Sequence, residues 1–481
     1  MRILTVPRLV FAIAGALIAA SMIAGFRGED WFNIERGTRS LADLPATLLA
    51  THTPGFYRPL PDLVTGVMYQ VFGLTPGPYI ATLLLLFAVD AGLLAAIVRA
   101  RGGTPAAAWI AVGALAVQAN TYAWTVFWFS YITGSLVTTL LLLAVWLHHR
   151  AVARAESGRG PGPAIALLPV MVLLAGMCKE EVVLLPLLLA GLEAVRWRRL
   201  SPAGQRAALA SGLVIALTVG AYAVFRVAFH PPEIHRGAVQ YRLTFGRNWI
   251  ENAMFFGFHL LPLPTALAAM SWWSSRRARG NASVHPSGSA SDPDPVRAEI
   301  LAGLAWTVLS IQLYLPMGGH AYGLLYLPAF GVALGVAPWL ASRDRPAVRL
   351  ALYAGFAALV TGWGLVSVGW PRYRAIARDT FAALDHASTT PPPGARFVFL
   401  DPMENETFAG RSVFNMVFDG AVPSMVRLHY RRPDLDARVI AGPAALDSAA
   451  HPPMAQAVFL VRRGRLERVD RGAQLAKRPV P

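Results

Sequence analysis

PYIATLLLLFAVDAGLLAAIV, residues 78–98, is a continuous apolar run. A half-buried strand alternates apolar and polar residues with a period of two, and this stretch does not. It exceeds the roughly 18 residues that a helix needs to cross about 30 Å of hydrocarbon. Similar runs recur near 9–26, 105–123, 127–147, 163–178, 181–196, 208–229, 250–272, 298–316, 322–341 and 348–369. The expected fold is therefore an all-α polytopic membrane protein with about eleven transmembrane helices.

Composition agrees. Of 481 residues, 55% are hydrophobic and 15% charged, and the mean hydropathy is +0.46, far from a water-soluble balance. The net charge of +16 does not point to nucleic acid. Much of it lies in short clusters beside apolar runs, such as Arg99/Arg101, Arg150/Arg154/Arg159, Arg196/Arg198/Arg199/Arg206 and Arg276/Arg277/Arg279, as cytoplasmic loops require. With Arg2 and Arg8 cytoplasmic, the loops 27–77 and 230–249 and the tail from 370 fall outside. The run 9–26 follows a short basic start but lacks a small-residue cleavage site, so it reads as a retained span. The single cysteine, Cys178, excludes an intrachain disulfide.

The runs 163–178 and 181–196 are short and separated only by Lys179-Glu180-Glu181, which leaves a re-entrant pair open. Residues 274–296, rich in Ser, Gly, Pro and Asp, read as a flexible cytoplasmic linker. In the outer loop 27–77, Trp31, Phe32, Ile34, Leu41, Leu44 and Leu48 recur at helical spacing and predict interfacial helices on the membrane. The expected division is a membrane domain over 1–369 and a small extracytoplasmic α/β domain over 370–481. Strands are expected at 396–400, 425–430, 437–440 and 457–462. No internal repeat is visible.

Chemistry-bearing residues cluster at the ends of the apolar runs. Glu29 and Asp30 follow the first one; a partly desolvated carboxylate there can act as a general base, or can simply end the helix in water. Tyr57-Arg58-Pro59-Leu60 closes the same loop, where the Arg58 guanidinium can grip a lipid phosphate or merely snorkel to head groups. Lys179, Glu180 and Glu181 lie between apolar runs, where ionisable groups are functional candidates, although a solvated turn is the plain alternative. His320 and Tyr322 sit at an outer helix end and read as a phosphate or sugar contact or as an aromatic belt. His148 and His149 are expected in solvent on the cytoplasmic side. No HExxH, phosphate-cradling glycine loop or Ser-His-Asp spacing supports a protease or an ATPase.

In order and spacing, Glu29-Asp30, Tyr57-Arg58-Pro59-Leu60, Cys178-Lys179-Glu180 and Tyr322-Gly323-Leu324-Leu325-Tyr326-Leu327-Pro328 resemble the membrane part of C-type (GT-C) glycosyltransferases. The nearest look is to protein O-mannosyltransferase relatives, in particular their transmembrane and tetratricopeptide-repeat branch. The resemblance covers roughly residues 8–340. Three features depart from that pattern: His320-Ala321-Tyr322-Gly323 replaces an arginine before the tyrosine, the acidic pair is Glu-Asp, and the repeats are missing.

The resemblance implies inverting hexosyl transfer from a polyprenyl-phosphate sugar to an acceptor hydroxyl, on a protein or a glycan, at the outer face of the cytoplasmic membrane. It implies Asp30 with Glu29 as catalytic carboxylates. Arg58, Lys179 and His320 would hold the donor phosphate, and Tyr57, Glu180 and Tyr322 would line the substrate. No cofactor is firmly implied, and two adjacent carboxylates do not support a divalent metal. Membrane lipids are the remaining partner. A transporter or flippase of lipid-linked envelope precursors is the alternative, disfavoured by the lack of repeated halves. A non-catalytic scaffold acting through its outer tail is a third.

Overall fold

The computed structural model describes residues 21–49, 57–229, 246–264, 295–317, 322–341, 345–401, 407–408, 411–418, 420–441, 457–462 and 465–469. The linker expected at 274–296 falls outside them except for the last two residues, as do residues 230–245 of the loop 230–249 and residues 9–20 of the run 9–26. The chain divides into two compact units. The first comprises residues 1–45, 62–81 and 367–481, and the second residues 46–61 and 82–366.

The second unit is helical. Its long members are α4 (Pro76–Ala100, from Thr82 onward), α7 (Ile132–Glu156), α10 (Pro202–Phe229), α12 (Pro295–Ile311), α13 (Tyr326–Ala341) and most of α14 (Arg345–Ser367). Shorter ones are α2 (Leu44–Leu49, from Ala46 onward), α5 (Pro105–Val117), α6 (Ala119–Phe127), α8 (Ala164–Gly176), α9 (Leu185–Ala194) and α11 (Arg247–Leu260). Among the described residues four helices are long and apolar enough to cross a membrane, Pro76–Ala100, Phe129–Glu156, Pro202–Phe229 and Gly323–Ala341. A fifth follows if α5 and α6, bent by 76° at Gln118, form one broken span. Among the described residues the expected count of eleven is not confirmed. The runs 163–178 and 181–196 become helices of 13 and 10 residues, separated by a 3-10 turn over Glu180–Leu184. The break at Gln118 is stabilised from within: its side-chain amide donates to the carbonyls of Ala114 at 3.0 Å and of Ala329, on α13, at 3.2 Å. Irregular backbone at membrane depth needs such internal partners.

α12 and α13 pack through glycines. A Cβ on Gly303 would run into the Gly331 carbonyl oxygen and the Gly335 nitrogen, backbone atoms that cannot swing aside. Helices associate in lipid through such close backbone approach. Gly303→Val is therefore expected to cost at least the 1–3 kcal/mol typical of overpacking. The loss should appear as a lower midpoint in detergent melts and a smaller monodisperse fraction on gel filtration.

The first unit is mixed. It contains α1 (Glu29–Ala42), the part of α3 (Pro59–Phe72) after Pro61, α15 (Trp370–Ala387), α16 (Val413–Phe418), α17 (Val422–Tyr430) and a four-stranded sheet. The strands are β1 (Arg396–Asp401), β4 (Asp436–Ala441), β5 (Ala457–Arg462) and β6 (Arg465–Arg468), in the order β4-β1-β5-β6; the short pair β2 (Thr407–Phe408) and β3 (Arg411–Ser412) stands apart. β1 pairs in parallel with β4 and β5. Its run Phe397-Val398-Phe399-Leu400 is wholly buried, as a central parallel strand covered on both faces must be. Phe397 stacks on Tyr430 and Phe399 on Phe414, while Val398 and Leu400 pack with Val458 and Leu460 on the other face.

One expectation fails here. The segment 425–430 is helical: Val422, Met425 and Val426 bury one side at helical spacing, Pro423 sits in the first turn, and Arg431 ends the helix in the left-handed conformation with φ 53°. The loop helix α1 packs part of its expected apolar face inside its own unit. Trp31 and Ile34 are buried, Trp31 meeting Phe26, Phe381 and Phe418 edge-on or tilted; only Phe32 and Leu44 of the expected apolar face are substantially exposed.

Candidate functional site

Within the first unit, the acidic pair is mounted on a tight turn. The Asp30 N–H donates to the Arg27 carbonyl at 3.1 Å, and Gly28 adopts φ 51°, ψ −121°. Those angles are the first central position of a type II′ turn, which glycine adopts without strain. The Arg27 N–H donates to Asp30 Oδ2 at 3.0 Å. The two carboxylates are not equivalent: Glu29 is exposed, whereas Asp30 is 2% exposed in the first turn of α1. The rest of α1 is pinned by ion pairs. Glu35 meets Arg39 and, at 3.2 Å, Arg427 of α17; Arg36 donates to Asp62 at 2.7 Å.

A cationic cluster occupies the second unit. The Leu60 N–H donates to the Met177 carbonyl at 3.2 Å, which brings the Tyr57–Leu60 segment beside the turn after α8. Arg58 Nη2 lies 3.7 Å from Glu180 Oε2, and Arg226 Nη2, near the end of α10, donates to Glu180 Oε1 at 3.2 Å. One carboxylate thus bridges two guanidiniums. The Arg226 guanidinium also sits over the Tyr57 ring, 5.7 Å from its centroid, and the Tyr57 hydroxyl donates to the Leu48 carbonyl at 2.9 Å. Burial raises the Tyr57 phenol above its ordinary value, with Arg226 pulling the other way. Lys179 pairs with Glu181, whose Oε1 also accepts from the Tyr314 hydroxyl. Glu181 Oε2 is buried without a hydrogen-bond partner.

Of the residues singled out by sequence, Tyr57, Arg58, Lys179 and Glu180 therefore share one neighbourhood. Asp30 and Glu29 belong to the other unit. His320 lies outside the described residues, and Tyr322 opens the 3-10 turn Tyr322–Leu325 before α13. Sequence reading missed Arg226 and Tyr314, each at the end of a long apolar run. It also missed Asp90, fully buried in α4, where it accepts from the hydroxyls of Tyr326 at 2.7 Å and Thr139 at 2.5 Å. Two hydroxyl donors satisfy a carboxyl that hydrocarbon could not.

His148 and His149 are not in solvent: both are buried on α7. Together with Glu193 they form a group with ligand atoms close enough to hold a metal ion. A guanidinium already takes the cation's place. Arg196 Nη2 is 2.8 Å from Glu193 Oε1 and 3.1 Å from His149 Nδ1, and Arg101 Nη1 approaches His149 Nε2 at 3.3 Å while pairing with Glu299. The group therefore ties α4, α7, α9 and α12 together through charge. Glu193→Ala strands a buried arginine, and such losses cost about 3–5 kcal/mol. A drop in melting temperature in detergent, unaltered by added zinc or by EDTA, is the expected result.

No family model matches this chain, and no curated protein matches it in sequence. Solved structures do. ArnT from Cupriavidus metallidurans in the apo state aligns with a TM-score of 0.53 and 14% identity, over 95% of this chain and 93% of that one. The same protein bound to undecaprenyl phosphate aligns with a TM-score of 0.47 and 15% identity, over 97% and 98%. The apo match shows a shared fold along nearly the whole of both chains, and with the apolar helices it makes this a multi-pass membrane protein. It supports the C-type fold without singling out the O-mannosyltransferase branch.

Proposed function

We propose that the chain is a membrane glycosyltransferase that moves a sugar from a polyprenyl-phosphate donor to an acceptor hydroxyl at the outer face of the cytoplasmic membrane, with inversion at the anomeric carbon. The observation that carries this reading is Glu180 held between Arg58 and Arg226. A carboxylate bridging two guanidiniums occupies the kind of position a phosphate oxygen takes. Counting Lys179 and Glu181, the cluster has three cations and two anions, so one further negative charge balances it.

In this reading Arg58 and Arg226 neutralise the charge that grows on the departing lipid phosphate, usually the largest catalytic contribution in such chemistry. Lys179 adds to that field, Tyr57 walls it, and the unpartnered Oε2 of Glu181 accepts from a donor-sugar hydroxyl. His320 and Tyr322 are proposed contacts of donor phosphate and substrate. Asp30, with Glu29 as its exposed neighbour, removes the acceptor's proton as it attacks the anomeric carbon. The carrier class draws on the fold relative as well: ArnT is a protein crystallised with undecaprenyl phosphate.

Mass spectrometry of lipid-linked sugars and envelope glycans in a strain lacking the protein tests this. A polyprenyl-phosphate sugar should accumulate while one glycosylated product disappears. Unchanged profiles of both would refute the proposal.

A further inference from the structure

Resting on the proposed role of Asp30, we infer that the C-terminal α/β domain is part of the catalytic apparatus, and that the Val417 carbonyl, gripped by Gly28 and Trp31, positions the Asp30 carboxylate. That single oxygen, on α16, accepts from the Gly28 N–H at 2.7 Å and from the Trp31 indole N–H at 3.0 Å. The two donors bracket Glu29 and Asp30 in the chain. A carbonyl has two acceptor sites, and both are directed at the ends of the turn that carries the acidic pair.

The indole is buried among Phe26, Phe381 and Phe418, so its N–H has no water to turn to, and the bond to Val417 is its outlet. Val417 is itself fully buried. The grip on α1 does not depend on these two bonds. The Glu35–Arg427 pair docks α1 on α17, and the Tyr69 hydroxyl, which donates to the Leu428 carbonyl at 3.0 Å, docks α3 on the same helix. Docking and aiming are thus served by different residues. The Arg427 contact holds the helix to the domain; the Val417 contact sets the orientation of its first turn.

The separation makes the inference testable. Trp31→Phe keeps the ring packing and removes the N–H, whereas Arg427→Gln weakens docking without touching the turn. In proteoliposomes with a polyprenyl-phosphate sugar and acceptor, Trp31→Phe should lower kcat roughly 10- to 100-fold. Its KM for the lipid donor should stay within about twofold, since the change removes only reactive alignment. Arg427→Gln should lower the melting temperature and leave kcat within about twofold of wild type.

If kcat falls in both variants in step with their melting temperatures, the contact is merely structural and the inference is overturned. Unchanged kcat in Trp31→Phe, with Asp30→Asn inactive, overturns it while leaving the proposed function standing. Full transfer by Asp30→Asn removes the Asp30 assignment and the inference with it, while the transfer itself upholds the proposed function. Should Trp31→Phe fail to fold, hydrogen exchange at the Gly28 amide of the wild-type protein decides: slow exchange supports the grip, and exchange at the rate of an open loop overturns it.

Discussion

Asp30→Asn is expected to lower transfer by roughly 10²- to 10⁴-fold, the range supplied by a positioned general base. Asparagine has nearly the same shape, and its carbonyl oxygen can still accept the Arg27 N–H that now reaches Asp30 Oδ2 at 3.0 Å. The turn should therefore persist, and melting should be close to wild type. What disappears is the ability to take a proton. Glu29→Gln provides the contrast, because Glu29 points to solvent and its loss should cost far less. The measurement is kcat with purified donor and acceptor; full activity in Asp30→Asn would sink the assigned mechanism.

Arg226→Ala is expected to reduce kcat by about 10²- to 10³-fold, comparable to deleting one preorganised donor to a developing anion. Arg226 engages the Glu180 carboxylate and the face of Tyr57, among other partners. Arg226→Lys should recover part of the loss, since a point charge restores the field but not the planar fork. Arg58→Ala should act in the same direction with a smaller effect, given its longer approach of 3.7 Å to Glu180 against 3.2 Å for Arg226. Equal and small losses in all three variants would place the phosphate elsewhere.

The legible parts of this protein are those in which one residue announces its own environment. A continuous apolar run has few alternatives to a buried or membrane helix, so α4, α7, α10 and α13 could be read directly. Charged residues stranded between such runs made Lys179 and Glu180 stand out, and the compact Tyr57-Arg58-Pro59-Leu60 segment did the same for Arg58. Arg226 was not legible because an arginine near the end of an apolar helix is ordinarily a snorkelling one; its role comes from Glu180, 46 positions away. Asp90 was hidden in the very stretch that decides the fold, since its partners Thr139 and Tyr326 lie on other helices. His148 and His149 misled for the related reason that burial of a polar side chain depends on partners, here Glu193 and Arg196. The helix at 425–430 was mistaken for a strand because a short apolar run fits either period, and the buried spacing that settles it appears only after packing.

The acidic turn also has a history within each molecule's synthesis. Trp31 and the carbonyl that receives its N–H are 386 positions apart in the chain. At about 5–20 residues per second, roughly 20 to 80 seconds separate their appearance. During that interval every helix of the second unit is made, while the Gly28 N–H and the Trp31 indole still lack their Val417 acceptor. On the proposed role of Asp30, transfer is therefore expected only after residue 417 has been made, so a chain halted before it should show none.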